Sequence, residues 1–198
     1  MTTPITNAKI LILSDNGFEQ SELETPRDHL RDRGATVHVA TPDGKPVRGW
    51  DQQDWGNPAA ADLSLDQVEI SAYDALVLPG GQINPDLLRL NPAAIALIKG
   101  FHAAGKPIAA VCHAPWLLIE AGLASGLRAT SYMSIRTDMI NAGADWVDQS
   151  AVSDRGIITS RNPEDLDDFV DAIVAAVTGN MAVGAADDLA GDMVVNRG

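Results

Sequence analysis

The sequence predicts an α/β protein: a doubly wound, mostly parallel sheet sandwiched by helices. Two observations carry this. Short apolar runs of strand length, KILIL at 9–13, YDALVLP at 73–79 and PIAAV at 107–111, recur between segments with helical periodicity. The clearest of those segments sets Leu166, Phe169, Val170, Ile173, Val174 and Val177 at i, i+3, i+4, i+7 spacing. The chain has 198 residues and is 45% hydrophobic, enough for one domain with a full core.

The elements follow in order. After the strand at 9–13, Ser14 to Gly17 makes a turn, and a helix is expected over roughly Glu19 to Arg33, bent at Pro26 and ended by Gly34. TVHVA at 36–40 reads as the second strand. Residues 42–62 are rich in Pro, Gly, Asn and Asp and read as a loop, with a hairpin expected around Asp43-Gly44. Gly80-Gly81 ends the third strand. Asn84-Pro85 and Asn91-Pro92 each read as an N-cap with proline at the first helical position. Arg128 to Tyr132 reads as a strand, Ser134 to Asn141 as a short helix, and Val147–Ser153 with Ile157–Ser160 as a hairpin turning at Asp154-Arg155-Gly156. Asn162-Pro163 caps the last helix, which Gly179 stops. One domain over 1–179 is expected, followed by a weakly ordered tail at 180–198.

Charge bounds the partners. Lys plus Arg is 14 against 27 Asp plus Glu, a formal net charge of -13. Such a surface repels nucleic acid and anionic membrane. The N-terminal MTTPITNAK has no apolar stretch of signal-peptide length, and no transmembrane run follows. One cysteine cannot form an internal disulfide, so a reducing cytoplasm is expected.

That cysteine, Cys112, is the centre of the functional reading. It stands between the strand at 107–111 and a helix opened by Pro115, the strand–turn–helix geometry of a nucleophile elbow. At helix N-termini a thiol pKa falls from about 8.5 to roughly 3.5–7.5. Cys112 is therefore read as a nucleophile; the alternative is a buried, inert cysteine. His113 is placed to activate a thiol, although neighbouring side chains on a turn diverge, and a backbone-bonded histidine at a helix start is the other reading. Gly80-Gly81 leaves backbone N–H groups open for an oxyanion hole, or makes a turn only glycine allows. Glu19, by spacing alone, is a first-turn acid complementing a helix dipole. Were its carboxyl near the sulfur, one proton would be shared and its pKa would rise. Trp50 and Trp55 are read as packing for their loop or as a substrate wall. His29, His38 and His102 lack metal-ligand spacing, and no G-x-G-x-x-G or P-loop is present, so no metal or organic cofactor is expected. In a doubly wound sheet the loops after Leu13, at Gly80-Gly81 and at Cys112 all fall at the carboxyl ends of strands, where ligands bind.

The chain resembles the ThiJ/PfpI superfamily, and within it the PfpI-like intracellular proteases and related stress proteins. The likeness runs from about Lys9 to Val177. It rests on GFEQSEL around Glu19, DALVLPGG at 74–81, AAVCHAPWLL at 109–118, TSY at 130–132, DMINAGADWVD at 138–148 and SRNPEDL at 160–166, in that order. The resemblance implies a flavodoxin-like, class I glutamine amidotransferase-like sandwich and a homodimer or higher oligomer. It implies Cys112 as nucleophile, Glu19 as the acid hydrogen-bonded to it, and His113 as the histidine of a Cys-His-acid set. In the protease-like members the acid of that set comes from a neighbouring subunit. Asp86 falls where those members carry a Glu, and Met133 where many carry Pro.

Three functions are expected to compete. The first is a cytoplasmic stress-defence thiol hydrolase acting on peptides or dicarbonyl-derived adducts. In it Cys112 attacks, Glu19 tunes the thiol, and the N–H groups of Gly80, Gly81 and His113 hold the oxyanion. The second is a non-catalytic redox sensor or chaperone-like protein whose Cys112 is oxidised to the sulfinic acid. The third, a glutamine amidotransferase-like glutaminase, needs a late His-x-Glu pair. No histidine follows His113, which speaks against it.

Overall fold

The structure, a computed structural model, describes residues 2–179; the tail expected from residue 180 lies outside the described residues. The chain begins with β1 (Lys9–Leu13), α1 (Gln20–Asp32) and β2 (Thr36–Thr41). The segment read as a loop then forms β3 (Val47–Asp51) and β4 (Asp54–Ala59), followed by β5 (Leu63–Ser64). Next come β6 (Ala75–Leu78), α2 (Ile83–Leu88), α3 (Pro92–Ala103), β7 (Ile108–Val111) and α4 (Pro115–Glu120). The chain closes with β8 (Arg128–Ala129), α5 (Arg136–Asn141), β9 (Asp145–Trp146), β10 (Ala151–Asp154), β11 (Ile157–Ser160) and α6 (Leu166–Thr178).

Seven strands make the main sheet in the order β10-β11-β7-β6-β1-β2-β5. Within this sheet, among the described residues, only β10 pairs antiparallel, through the turn at Arg155 and Gly156, both with positive φ. Two residues with positive φ give the tight hairpin turn that matches strand twist. The order reverses at β1: β2 lies on one side of it and β6 on the other. This is a flavodoxin-like, doubly wound sandwich, and the reversal opens a crevice at the carboxyl ends of β1 and β6.

Both faces of the sheet are covered, which explains the uninterrupted apolar runs. Leu11 and Leu13 of β1 join one core with Leu97, Ile98 and Phe101 of α3 and Leu117 and Leu118 of α4. Ile10 and Ile12 join the other with Leu23 and Leu30 of α1 and Phe169, Val170 and Ile173 of α6. Each such fully buried side chain contributes about 1.5–3 kcal/mol relative to exposure. α1 runs unbroken through Pro26, which is buried and leaves the Glu22 carbonyl without its helical donor.

Several local expectations are corrected. The hairpin is β3–β4, turning at Gln52 (φ 54), not at Asp43-Gly44. Its register is set by Trp50 against Trp55, whose rings meet edge to face at 5.7 Å. The strand from Arg128 stops at Ala129, because the chain leaves it to tie Tyr132 N to the Cys112 carbonyl at 2.8 Å. The last hairpin starts at Ala151 rather than Val147, which instead bonds the Ala129 carbonyl. Asn91 does cap α3, accepting from Ala93 N and Ala94 N, but Asn84 lies inside α2 and its side chain serves elsewhere.

Candidate active site

Three loops converge at the carboxyl ends of β1, β6 and β7, around a cleft of about 530 Å³. Its walls include Gly17 and Glu19 after β1, Gly81 and Ile83 after β6, and Cys112 and His113 after β7. Trp50 of β3 and Tyr132 close the sides. The β3 strand is pinned there by Gly17 N to the Arg48 carbonyl at 2.8 Å and Trp50 N to the Phe18 carbonyl at 2.7 Å.

Cys112 sits at the floor with φ 63, a left-handed conformation rare for a residue with a side chain. Strain of this kind costs of order 1–3 kcal/mol and persists only where the surroundings impose it. Here Cys112 N donates to the Ser160 carbonyl at 3.0 Å, and its own carbonyl accepts from Tyr132 N. The conformation turns the sulfur toward its neighbour: His113 Nδ1 is 3.1 Å from Sγ. The divergence expected of adjacent side chains holds for ordinary turns and is cancelled at this one. His113 is buried, stacked on Tyr132 at 4.8 Å and edge-on to Trp116 at 5.3 Å. Its Nε2 lies 3.0 Å from Ser134 Oγ.

The acid beside the sulfur is Glu22, not Glu19. Glu22 is fully buried on the first turn of α1, and its Oε2 accepts from Gly80 N at 2.9 Å. Its Oε1 finds no hydrogen-bond partner among the described residues. Glu19 is the residue before the helix, in an extended conformation, bridged to Trp50. It reaches the cleft mouth beside Asp51, and no hydrogen bond joins it to Cys112. One helical turn separates the two acids, and the inner one lies over the elbow.

The expected oxyanion donors divide the same way. Gly80 N is taken by Glu22 and is not free for a ligand. The N–H groups of Gly81 and His113 both act on the Cys112 sulfur. Gly80 is demanded by space: a Cβ there would stand 2.5 Å from Glu22 Oε2 and 2.7 Å from Cys112 Cβ. Asn84, fully buried, locks this loop. Its Nδ2 donates to the Pro79 carbonyl at 2.8 Å and the Gly80 carbonyl at 3.2 Å, while Oδ1 accepts from Asp15 N at 2.7 Å. Asp86 is exposed on α2, its carboxylate 4.0 Å from Arg89 rather than in the cleft.

Burial governs the protonation of the site. It pushes Glu22 up to about 8, against the pull of its hydrogen bonds from Cys112 and Gly80. It pushes the Cys112 thiol up as well, and the nearby Glu22 carboxylate pushes the same way; the donors Gly81 and His113 only moderate this. The low thiol pKa expected of a helix N-terminus is thus overturned. α4 has six residues and Cys112 is 5% exposed, so desolvation wins. Glu22 and Cys112 together resist holding two negative charges. Burial brings His113 down to about 4, leaving a neutral imidazole at physiological pH. Glu19 is raised, by partial burial and then by Asp51. The arrangement therefore sets a neutral base and a proton-bearing carboxyl each against the same thiol.

Glu22, Asn84 and Ser134 were missed in the sequence. Glu22 carried a signal, since it shares the GFEQSEL segment one turn beyond Glu19. Asn84 was masked by the proline after it, and Ser134 by being one serine among many. His38 pairs with Tyr73 Oη at 2.9 Å and His29 faces Asp167 at 3.6 Å, both away from the cleft. Among the described residues no cluster of three His, Cys, Asp or Glu suits a metal, and no helix is long and apolar enough to cross a membrane.

Comparison with known proteins finds close sequence and fold likeness. Deglycase PfpI of Pyrococcus furiosus is 42% identical over 158 residues, covering 80% of this chain and 92% of that protein. General stress protein 18 of Bacillus subtilis is 39% identical over 163 residues, covering 81% and 92%. The crystal structure of Drosophila melanogaster DJ-1beta superposes with a TM-score of 0.80 at 31% identity, covering 87% of this chain and 91% of that one. The DJ-1/PfpI family model matches residues 8–176, and the chain belongs to the DJ-1/PfpI family.

Proposed function

We propose that this protein is a cysteine-dependent hydrolase of the deglycase or protease type, releasing amines from dicarbonyl-derived adducts or cleaving acyl bonds. The observation that carries the reading is the strained Cys112, its sulfur 3.1 Å from a neutral His113 and in contact with a carboxyl that burial keeps protonated. Cys112 Sγ attacks the electrophilic carbon while the imidazole receives the thiol proton. Gly81 N–H and His113 N–H supply donors for the developing negative charge. Glu22, protonated, donates to the sulfur whenever it is anionic, and so stabilises it as leaving group when water completes the hydrolysis. The relative named deglycase supports the reaction class, and the one named general stress protein supports a role in stress defence; the cytoplasm as the place of action is part of the same proposal.

The working unit proposed is an oligomer of this chain. Ile83 and Leu87 on α2, with Leu90 just after it, are exposed large apolar side chains, Leu90 at 79%. Asp86 lies on the same segment, where a neighbouring copy offers it a second cleft. The decisive experiment is Cys112→Ser assayed on methylglyoxal-treated amino acids and on peptides. Turnover is expected to vanish; retention of full turnover on both sinks the reading.

A second reading is favoured by Glu22 alone. A carboxyl that stays protonated near neutrality beside the sulfur also stabilises a sulfinate. Mild peroxide should then add two oxygens at Cys112, absent in Cys112→Ala, with no catalysis by the reduced protein.

A further inference from the structure

We propose that Ser134 is the positioning residue for His113, so that the base facing Cys112 is assembled within one chain. The inference deepens the catalytic reading above and rests on it for its consequence, not for its geometry.

His113 has two ring nitrogens, and each meets one group. Nδ1 is 3.1 Å from the Cys112 sulfur, and Nε2 is 3.0 Å from Ser134 Oγ. A neutral imidazole carries one proton, so one nitrogen donates and the other accepts. Ser134 is exposed, and its hydroxyl is free to turn its own hydrogen to water. Its oxygen then accepts from Nε2–H. That hydrogen bond leaves the Nδ1 lone pair on the sulfur side, the one arrangement in which His113 takes a proton from Cys112. The reverse tautomer aims N–H at the sulfur and removes the base.

The fold holds Ser134 at this distance. Tyr132 N is bonded to the Cys112 carbonyl at 2.8 Å, which ties the chain to the elbow two residues earlier. Met133–Ile135 then make a single 3-10 turn, closed by Ile135 N on the Tyr132 carbonyl at 3.1 Å. The Tyr132 ring stacks on the imidazole at an interplanar angle of 27°, fixing its plane. Thus the residue that orients the ring and the residue that sets its tautomer come from one anchored turn. The third member expected from a neighbouring subunit, Asp86, is not needed for this.

The chemical step balances within these groups. As the sulfur bonds to the substrate's carbonyl carbon, the C=O pair moves to oxygen and the thiol proton moves to Nδ1. The imidazolium keeps Nε2–H on Ser134 and passes the Nδ1 proton to the leaving amine as its bond to carbon breaks.

The test reads the tautomer directly, by long-range proton–nitrogen NMR of His113 in wild type, Ser134→Ala and Ser134→Thr. The same variants, with Asp86→Asn, are assayed for alkylation of Cys112 by iodoacetamide at neutral pH. Wild type and Ser134→Thr are expected to show the Nε2–H form. Ser134→Ala is expected to show a mixture and to alkylate about tenfold more slowly, the worth of about one hydrogen bond, with unchanged thermal unfolding. An Nδ1–H imidazole in wild type overturns the proposal. So does a Ser134→Ala protein with wild-type tautomer and rate, and so does a slow Asp86→Asn beside a normal Ser134→Ala. The NMR readout needs no turnover, so a wild-type protein without hydrolytic activity refutes the catalytic reading and leaves the tautomer to be judged by itself.

Discussion

Glu22 Oε2 accepts a 2.9 Å hydrogen bond from Gly80 N, joining α1 to the loop after β6 across 58 residues of sequence. The contact seals a carboxyl against the reactive sulfur and removes Gly80 from the pool of free donors. Much of the site's behaviour is expected to follow from this one burial.

The first consequence concerns stability. Glu22 is raised from the ordinary 4.5 to about 8 in the fold. Between these values the unfolded chain ionises and the folded one does not, so this group lowers stability as pH rises from about 4.5 to 8. Below that window both states are protonated and the effect is absent. Glu22→Gln keeps the acceptor for Gly80 N and removes the charge. Its melting temperature should exceed wild type by a margin that grows from pH 5 to pH 8, worth on the order of 4 kcal/mol at most. A constant margin, or none, contradicts the burial of an ionisable carboxyl there.

The same variant tests the coupling to Cys112. Without the neighbouring carboxylate the thiol should titrate lower, seen as faster iodoacetamide alkylation at a given alkaline pH. Glu19→Gln should leave that profile nearly unchanged, since its carboxyl stands at the cleft mouth beside Asp51. The opposite ranking would restore Glu19 to the role implied by the resemblance.

Histidine protonation should enter late. His113 is held down to about 4 by burial, so any acid limb of activity should fall near that pH rather than near 6.5. The unfolded chain takes up this proton at higher pH than the folded one, so the group's contribution to stability is lost as pH falls from about 6.5 toward 4. His113→Gln should flatten that part of the stability profile. NMR titration of His113 gives the value directly.

Glycine replacements should separate crowding from backbone strain. Gly80→Ala puts a Cβ 2.7 Å from both Cys112 Cβ and the Val111 carbonyl oxygen, fixed atoms that cannot yield cheaply. Loss of more than about 3 kcal/mol, with loss of Cys112 reactivity, is expected. Gly105→Ala meets nothing within 4 Å but keeps φ +67, and should cost about 1 kcal/mol with reactivity intact. Urea unfolding of both variants measures the difference.

Self-association should depend on the strip at α2. Leu90→Glu, at a position 79% exposed, should leave the fold intact and shift sedimentation toward the monomer. A wild-type protein already monomeric at micromolar concentration would remove the proposed oligomer.

What the sequence determined by itself was whatever depends on neighbours along the chain. The apolar runs marked β1, β6 and β7, periodicity marked α6, and Asn91-Pro92 marked the start of α3. The strand–Cys–helix order placed Cys112 at an elbow, and the alternation of elements brought three loops to one end of the sheet. Local chemistry suffices for these, because hydrogen-bond period and burial pattern are written in adjacent residues. The choice between Glu19 and Glu22 was different. Both lie in one short segment, and only the packing of α1 over the Gly80 loop decides which acid is buried. The β3–β4 hairpin looked like loop because its stability comes from Trp50 on Trp55 and from clamping Gly17 and Phe18, not from strand propensity. Asn84 and Ser134 are ordinary polar residues until tertiary structure sets Asn84 between two loops and Ser134 against an imidazole. The thiol pKa also reversed sign in three dimensions: a helix start predicts a lowered value, and burial, which no local pattern measures, raises it.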